Sequence, residues 1–195
     1  MAEPLQPLLK EIAACQVCGD LPLGPRPVLS ASKTAKILIA GQAPGVRVHN
    51  SGIPFNDPSG DRLRRWMGID SEVFYDKSKV SIIPMGFCYP GTAAKGGDLP
   101  PRPECRATWH DRLFKALPKF ELTLVIGQYA HVYHLGGRRQ KNLTETVKIW
   151  QEFYPKIIPM PHPSPRNIFW LKRNPWFEAE VIPALQQRVK EIIKT

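Results

Sequence analysis

The sequence contains no apolar run that approaches the length of a membrane span, which is about 20 residues. Residues 1–14 carry Glu3, Lys10 and Glu11, so they lack the continuous apolar segment of a signal peptide. Internal repeats and low-complexity tracts are also missing. These absences predict a soluble, cytoplasmic protein with no membrane partner.

Acidic residues are scarce relative to basic ones. The chain has 27 Lys and Arg against 17 Asp and Glu, which gives a net charge of +10. This balance favours a polyanionic partner, and nucleic acid is the most plausible one. Charge alone does not decide the matter, because a basic protein can also lack any such partner. With 195 residues the chain is long enough to bury a substantial core. We expect one domain over residues 1–195, acting as a monomer.

Cysteine is rare too, with four residues at Cys15, Cys18, Cys88 and Cys105. Thiols in an intracellular protein seldom pair as disulfides. The CxxC pair places two thiolates where they can bind one metal, and two distant cysteines can complete a tetrahedral set. From spacing alone, zinc, an iron–sulfur cluster and four unrelated buried thiols all remain open.

Short apolar runs alternate with helical patterns along the chain. Such alternation predicts an α/β fold, a three-layer α/β/α sandwich around a central four-stranded parallel sheet. The expected strands are Lys36 to Ala40, Val80 to Met85, Leu122 to Ile126 and Lys156 to Met160. The expected helices are Leu5 to Cys15, Gly60 to Met67, Glu104 to Leu117, Gln128 to Leu135 and Leu143 to Phe153. From Asn167 to Lys194 we expect two or three short helices, because Pro175 and Pro183 interrupt the pattern.

Polar residues follow the predicted strands directly. In an open parallel sheet, ligands bind beyond the carboxyl ends of the strands, so these residues are expected to form one crevice. The segment from Gly41 to Asp61 runs from a strand through a Gly/Pro loop to a helix start, a geometry that suits anions and polar base edges. The predicted crevice holds Gln42, His49, Asn56, Asp57, His162, Ser164, Arg166 and Asn167, with Phe55 beside them.

Three of these stretches resemble the signature loops of the uracil-DNA glycosylase superfamily. They are Gly41-Gln42-Ala43-Pro44-Gly45, Pro54-Phe55 and His162-Pro163-Ser164-Pro165. The cysteine spacing is similar to that of the iron–sulfur branch of the superfamily, called family 4. The resemblance implies a [4Fe–4S] cluster on the four cysteines, with zinc as the alternative. It also implies DNA as the partner and base excision repair as the setting.

The resemblance assigns roles to the matching residues. Phe55 corresponds to the aromatic residue that stacks on a base flipped out of the duplex. His162 corresponds to the histidine that donates to the pyrimidine O2 as negative charge develops there. Ser164, Arg166 and Asn167 lie in the loop that grips phosphate and invades the duplex, and Arg166 occupies its wedge position.

The chain departs from the family pattern at its acids. Family 4 usually has glutamate where Gln42 stands, and the best-known branch has aspartate where Ala43 stands. Gln42 stays a catalytic candidate and Ala43 a base-binding one, while Asp57 is our preferred group for activating water. Asp61 is the alternative, although its position suits stabilisation of a helix N-terminus.

A further departure concerns how the base is recognised. The family often has an asparagine on the second strand, where this chain has Pro84-Met85-Gly86. We therefore expect backbone groups or Asn56 to read the base.

Basic residues outside the signature loops are candidates for holding the DNA backbone. Arg138, Arg139 and Lys141 share one predicted loop, and Lys172 follows Arg166 in the sequence. The whole pattern predicts a monofunctional glycosylase that removes a deaminated base, most plausibly uracil. Two alternatives stay open: a damaged-DNA-binding protein with little or no activity, and a small-molecule enzyme that binds phosphate at the Gly41 loop.

Overall fold

The computed structural model describes residues 3–194 of the chain. Its centre is a four-stranded, all-parallel sheet with the strand order β2-β1-β3-β4. The strands are β1 (Ile37–Ala40), β2 (Val80–Ile82), β3 (Leu122–Ile126) and β4 (Ile157–Met160). The predicted α/β class and the four parallel strands are confirmed, although β2 ends three residues earlier than its apolar run, which extends to Met85.

Both faces of the sheet are covered by helices. In β1, Ile37 and Ile39 pack with residues of the C-terminal helices, whereas Leu38 packs with residues of the N-terminal helix on the other face. All four β1 side chains are buried, which explains why the strand is a continuous apolar run rather than an alternating one. The result is the predicted three-layer arrangement.

The helices lie between and around the strands. In chain order they are α1 (Leu5–Ala13), α2 (Val46–Ser51), α3 (Pro58–Met67), α4 (Ser71–Tyr75), α5 (Pro103–Cys105), α6 (Asp111–Ala116), α7 (Gly127–Leu135), α8 (Leu143–Lys148), α9 (Ile168–Arg173) and α10 (Ile182–Lys194). Short 3₁₀ turns occur at Gly136–Arg138, Trp150–Glu152 and Pro165–Asn167. Among the described residues, no helix is both long and apolar enough to cross a membrane.

Two short helices were missed by the sequence patterns. α2 lies within the stretch predicted to be a loop, and it ends at Ser51 because the next residue, Gly52, has a φ of 70°. α4 begins at Ser71 and is capped by Asp70, whose carboxylate accepts a hydrogen bond from the backbone N–H of Val73. A helix of one or two turns offers too few positions for an apolar repeat to be recognised.

The C-terminal helices follow the prediction at one proline and not at the other. Pro175 separates α9 from the next helical segment, as expected. Pro183, in contrast, lies in the first turn of α10, directly after the π-helical turn Phe177–Val181. The first turn of an α-helix tolerates the missing N–H of proline, so Pro183 does not end the helical run.

Candidate active site

A cavity of about 320 Å³ lies beyond the carboxyl ends of the strands. Loops that follow β1, β2 and β4 line it, which is where an open parallel sheet binds its ligands. Of the residues predicted for the crevice or for base binding, the structure brings together Gln42, Ala43, Phe55, Asp57, His162, Ser164 and Arg166.

Phe55 forms one wall of this cavity. Its φ of 54° is positive, an uncommon conformation for a bulky non-glycine residue. Its ring packs edge-on against Phe74 at a centroid distance of 6.3 Å, and a Cβ on Gly41 would lie 3.4 Å from the ring. Strained backbone of this kind costs about 1–3 kcal/mol and persists where the surroundings hold it.

The surroundings of Phe55 come from the start of α3. A Cβ on Gly60 would lie 1.8 Å from the Phe55 carbonyl oxygen, so only glycine fits there. The side chain of Asp57 caps α3, because its Oδ1 accepts a hydrogen bond of 2.9 Å from the Gly60 N–H. Asp57 therefore lines the cavity and also fixes the turn that carries Phe55.

His162 is oriented by the loop that contains it. The backbone N–H of Ser164 donates to His162 Nδ1 at 3.2 Å. Burial lowers the pKa of His162, and the nearby Asp57 carboxylate opposes this shift without reversing it. The ring is therefore neutral near pH 7, and because Nδ1 accepts, the proton resides on Nε2. His162 thus presents an N–H donor in the cavity.

Further hydrogen bonds hold the same loop. The Asn167 amide donates to the His162 carbonyl oxygen at 2.7 Å, and Ser164 Oγ accepts from the Arg166 N–H at 3.2 Å. Arg62 of α3 donates to the carbonyl oxygens of Pro163 and Ser164. Asn167 thus supports the loop rather than lining the cavity, and Arg62 is a supporting residue that no sequence pattern indicated.

Gln42 and an unpredicted acid, Asp98, complete the lining on the side of the β2 loop. The Gln42 amide donates to the Leu99 carbonyl oxygen at 3.2 Å, so it holds the segment that includes Asp98. Asp98 lines the cavity together with Asp57. Asp98 lies far from every signature loop in the sequence, which is why the motifs did not indicate it.

Besides Asn167, two residues predicted for the crevice lie outside the cavity lining. Asn56 is exposed, and it is not among the residues that line the cavity. His49 is buried in α2 with its ring 6.2 Å from that of Tyr89, and burial lowers its pKa. Both residues follow turns that contain Gly and Pro, and the sequence does not define where such a turn directs the next side chains.

The predicted basic loop lies at a different edge of the sheet. Arg138 donates to the Glu152 carbonyl oxygen and its guanidinium stands 4.5 Å above the ring of Phe153. These contacts are just before β4, whereas the cavity follows the opposite end of that strand. Arg139, Lys141 and Lys172 are exposed and also lie outside the cavity lining. In contrast, Arg47 of α2 lines the cavity and was not predicted.

All four cysteines line a second, smaller pocket. They are free thiols, and burial raises the pKa of Cys88 to about 11 and that of Cys105 to about 12. The Trp109 indole N–H donates to Cys15 Sγ at 3.3 Å, and the Phe87 N–H donates to Cys105 Sγ at 3.2 Å. Within residues 3–194, however, no three His, Cys, Asp or Glu side chains are grouped closely enough to hold one metal ion.

Comparison with known families agrees with the geometry of the larger cavity. Residues 29–186 match the family model described as the uracil DNA glycosylase superfamily. The chain belongs to this superfamily. Membership in the uracil DNA glycosylase superfamily indicates a glycosylase-like function and DNA as the partner. The matched residues begin after Cys15 and Cys18, and the match does not determine the branch.

Proposed function

We propose that the protein is a monofunctional DNA glycosylase that hydrolyses the N-glycosidic bond of a flipped, deaminated base and leaves an abasic site. Uracil is the base we propose. The observation that carries this proposal is that His162 shares a cavity with Phe55 and that its Nδ1 accepts the Ser164 N–H, which leaves Nε2 as the donor. Such a pair suits a pyrimidine that stacks on an aromatic ring and gains negative charge at a carbonyl oxygen.

His162 would act on the leaving base. As the bond between the sugar and the base breaks, electrons move onto the base, and a positioned donor at its O2 stabilises the developing anion. One donor of this kind is worth about a hundredfold or more in rate. A neutral imidazole donates without transferring a full proton, which matches the lowered pKa of His162.

Phe55 would provide the platform for the base. Its backbone is already held in the left-handed conformation by Gly60 and Asp57, so the ring needs no reordering when a base arrives. A pre-organised wall reduces the entropy lost on binding. This saving offsets part of the few kcal/mol needed to flip a base out of the duplex.

Arg166 and Arg47 are our candidates for contacts with DNA at the mouth of the cavity. Both are exposed, basic and part of the cavity lining. A guanidinium can bind a backbone phosphate in a bidentate manner, and Arg166 can also fill the space that a flipped base leaves. The net charge of +10 favours the same partner.

The test uses oligonucleotides that each contain one lesion, in single- and double-stranded form. After incubation with the protein, alkaline treatment should cleave the strand at uracil because an abasic site has formed. An oligonucleotide with thymine in place of uracil is the matched control. Tight binding to uracil-containing DNA without any abasic product would replace this proposal with that of a damaged-DNA-binding protein.

We further propose that Cys15, Cys18, Cys88 and Cys105 bind a [4Fe–4S] cluster, with zinc as the alternative. The pocket shared by all four, and the N–H groups that donate to two of the sulfurs, fit a thiolate-bound centre. Zinc would draw four sulfurs to within about 4 Å of one another, since each Zn–S bond is about 2.3 Å. Either centre would be held by the same four thiolates, so the metal content has to distinguish the two.

This centre is testable without an activity assay. Protein purified without oxygen should be brown and contain iron and sulfide, and Cys88→Ser should lose both together with thermal stability. Ala94→Ser is the control, because Ala94 is exposed and lies outside the cysteine pocket. One zinc per colourless chain would instead establish the alternative.

A further inference from the structure

The carboxylate of Asp98 reaches across to the loop that follows β1. Its Oδ2 lies 3.4 Å from the position that a Cβ would occupy on Gly45. The residue as a whole is exposed, yet it contributes to the cavity lining together with His162 and Phe55. Asp98 is therefore in contact with both solvent water and the space where a base would be held.

The segment that carries Asp98 is held in place from several sides. Within it, the Leu99 N–H donates to the Gly91 carbonyl oxygen and the Ala93 N–H donates to the Gly97 carbonyl oxygen, both at 2.8 Å. From outside, Gln42 donates to the Leu99 carbonyl oxygen, and Arg166 Nη1 lies 3.2 Å from the position of a Cβ on Gly97. The backbone of the Asp98 segment is thus held by its own turn and by two residues of the cavity lining, Gln42 and Arg166.

Asp57, the other acid in the cavity, is already engaged. Its Oδ1 accepts the Gly60 N–H at the start of α3, so this carboxylate serves as the N-cap of the helix. Asp57 is thus committed to holding the turn that carries Phe55. Desolvation raises the pKa of Asp98, Asp57 raises it further, and Arg166 lowers it without cancelling the rise. A carboxylate with a raised pKa accepts a proton more readily near neutral pH.

We propose that Asp98 is the catalytic carboxylate that accepts a proton from the attacking water, and that Gln42 is the positioning residue that holds the Asp98 segment. This inference rests on the proposed glycosylase function and adds to it. It assigns the water-activating role to a loop that follows β2, in a chain whose Gly41–Gly45 loop carries no acid.

In the proposed reaction, hydrolysis exchanges one bond at C1′ for another. The bond between C1′ and the base nitrogen breaks, and its electron pair leaves with the base, whose O2 accepts a hydrogen bond from His162 Nε2–H. The oxygen of water forms a new bond to C1′, and one water proton passes to the Asp98 carboxylate. That proton then moves to the base anion or to solvent, which returns Asp98 to its charged form and releases the base and an abasic sugar.

The test compares Asp98→Asn with wild type in single-turnover cleavage of uracil-containing single-stranded DNA. Asparagine has nearly the same shape and cannot accept the proton, so the cleavage rate should fall by about a hundredfold or more. Binding of the same DNA should be retained or slightly tighter, because a negative charge is lost. Glu72→Gln is the matched control, since Glu72 is an exposed acid outside the cavity.

The pH profile separates a chemical role from a structural one. In wild type the rate should fall as pH decreases through the Asp98 pKa, because protonated Asp98 cannot accept a proton, and Asp98→Asn should lose this fall. Other titratable or charged side chains also line the cavity, namely Asp57, His162, Arg47 and Arg166. Because Asp57 is the other carboxylate among them, Asp57→Asn is measured in parallel, and its rate should still fall at low pH.

The outcomes are distinguishable. If wild type produces no abasic sites on any lesion, the proposed glycosylase function itself fails. If wild type is active and Asp98→Asn cleaves at a similar rate, the function stands and the role of Asp98 is rejected. The role of Asp98 would also be rejected if Asp98→Asn were slow but its rate still fell at low pH as in wild type. The residue would then act only through the structure of the loop.

Discussion

Two loops at the rim of the sheet place chemical groups in the cavity, and they do so in different ways. In the loop after β4, His162 is oriented by close neighbours: Ser164 and Asn167 both bond to it within five positions along the chain, and Arg62 adds support from α3. The loop after β2 depends on residues distant in sequence, as Gln42 and Leu99 are 57 positions apart. The bonds of Ser164 and Asn167 to His162 are local, so a motif can encode them, whereas the bond between Gln42 and Leu99 forms only once the sheet has formed.

The largest expected effect belongs to the local loop. Replacement of His162 by alanine removes the donor to the leaving base, so single-turnover cleavage of uracil-containing DNA should slow by about a hundredfold or more. Asp57→Asn should cost clearly less, because asparagine caps a helix about as well as aspartate. Single-turnover conditions are needed since slow product release would hide both effects. Wild-type cleavage by His162→Ala would refute its assigned role.

A smaller effect should distinguish the supports of the two loops. Gln42→Ala removes the hydrogen bond to Leu99 and loosens the Asp98 segment. We expect the activation free energy to rise by about 1 kcal/mol, which slows cleavage about fivefold. The acid limb of the pH profile should shift, because the surroundings of Asp98 change. An unchanged profile would indicate that the loop after β2 holds its shape without Gln42.

Asn167→Ala is the corresponding change in the local loop. It removes the hydrogen bond to the His162 carbonyl oxygen, and we expect a loss of similar size, about fivefold. The pH profile should stay as in wild type because Asp98 is untouched. If Asn167→Ala altered the acid limb and Gln42→Ala did not, the contrast between the two loops would be wrong.

The smallest expected effect concerns DNA affinity. Arg47→Ala should lower the slope of log affinity against log salt by about one unit, the value for one lost phosphate contact. Arg138→Ala is the comparison, because its guanidinium is bound to Glu152 and Phe153 away from the cavity. Titration of labelled single-stranded DNA over a range of salt concentrations measures both slopes. A larger change in slope for Arg138→Ala would instead support the predicted role of the Arg138 loop in DNA binding.

The sequence predicted the sheet well because each strand is a buried apolar run with turn residues at its ends. It placed Phe55 and His162 in one cavity for the same reason, since both follow strands whose carboxyl ends meet. The predicted role of Arg138, Arg139 and Lys141 in DNA binding stays a prediction, which their distance from the cavity does not favour. Asp98 and Arg62 could not be found, because their positions depend on tertiary contacts that no local pattern records.

The contact between Gly60 and the Phe55 carbonyl oxygen also limits how this protein can be redesigned. A wider cavity would require a smaller residue at position 55, but the left-handed backbone there rejects β-branched side chains such as Val. Any side chain at position 60 would displace the turn itself. Substrate range is therefore tied to main-chain shape at position 55. Variants with altered range should come from other positions of the cavity lining, such as Ala43 and Val46, whose backbone φ is not positive.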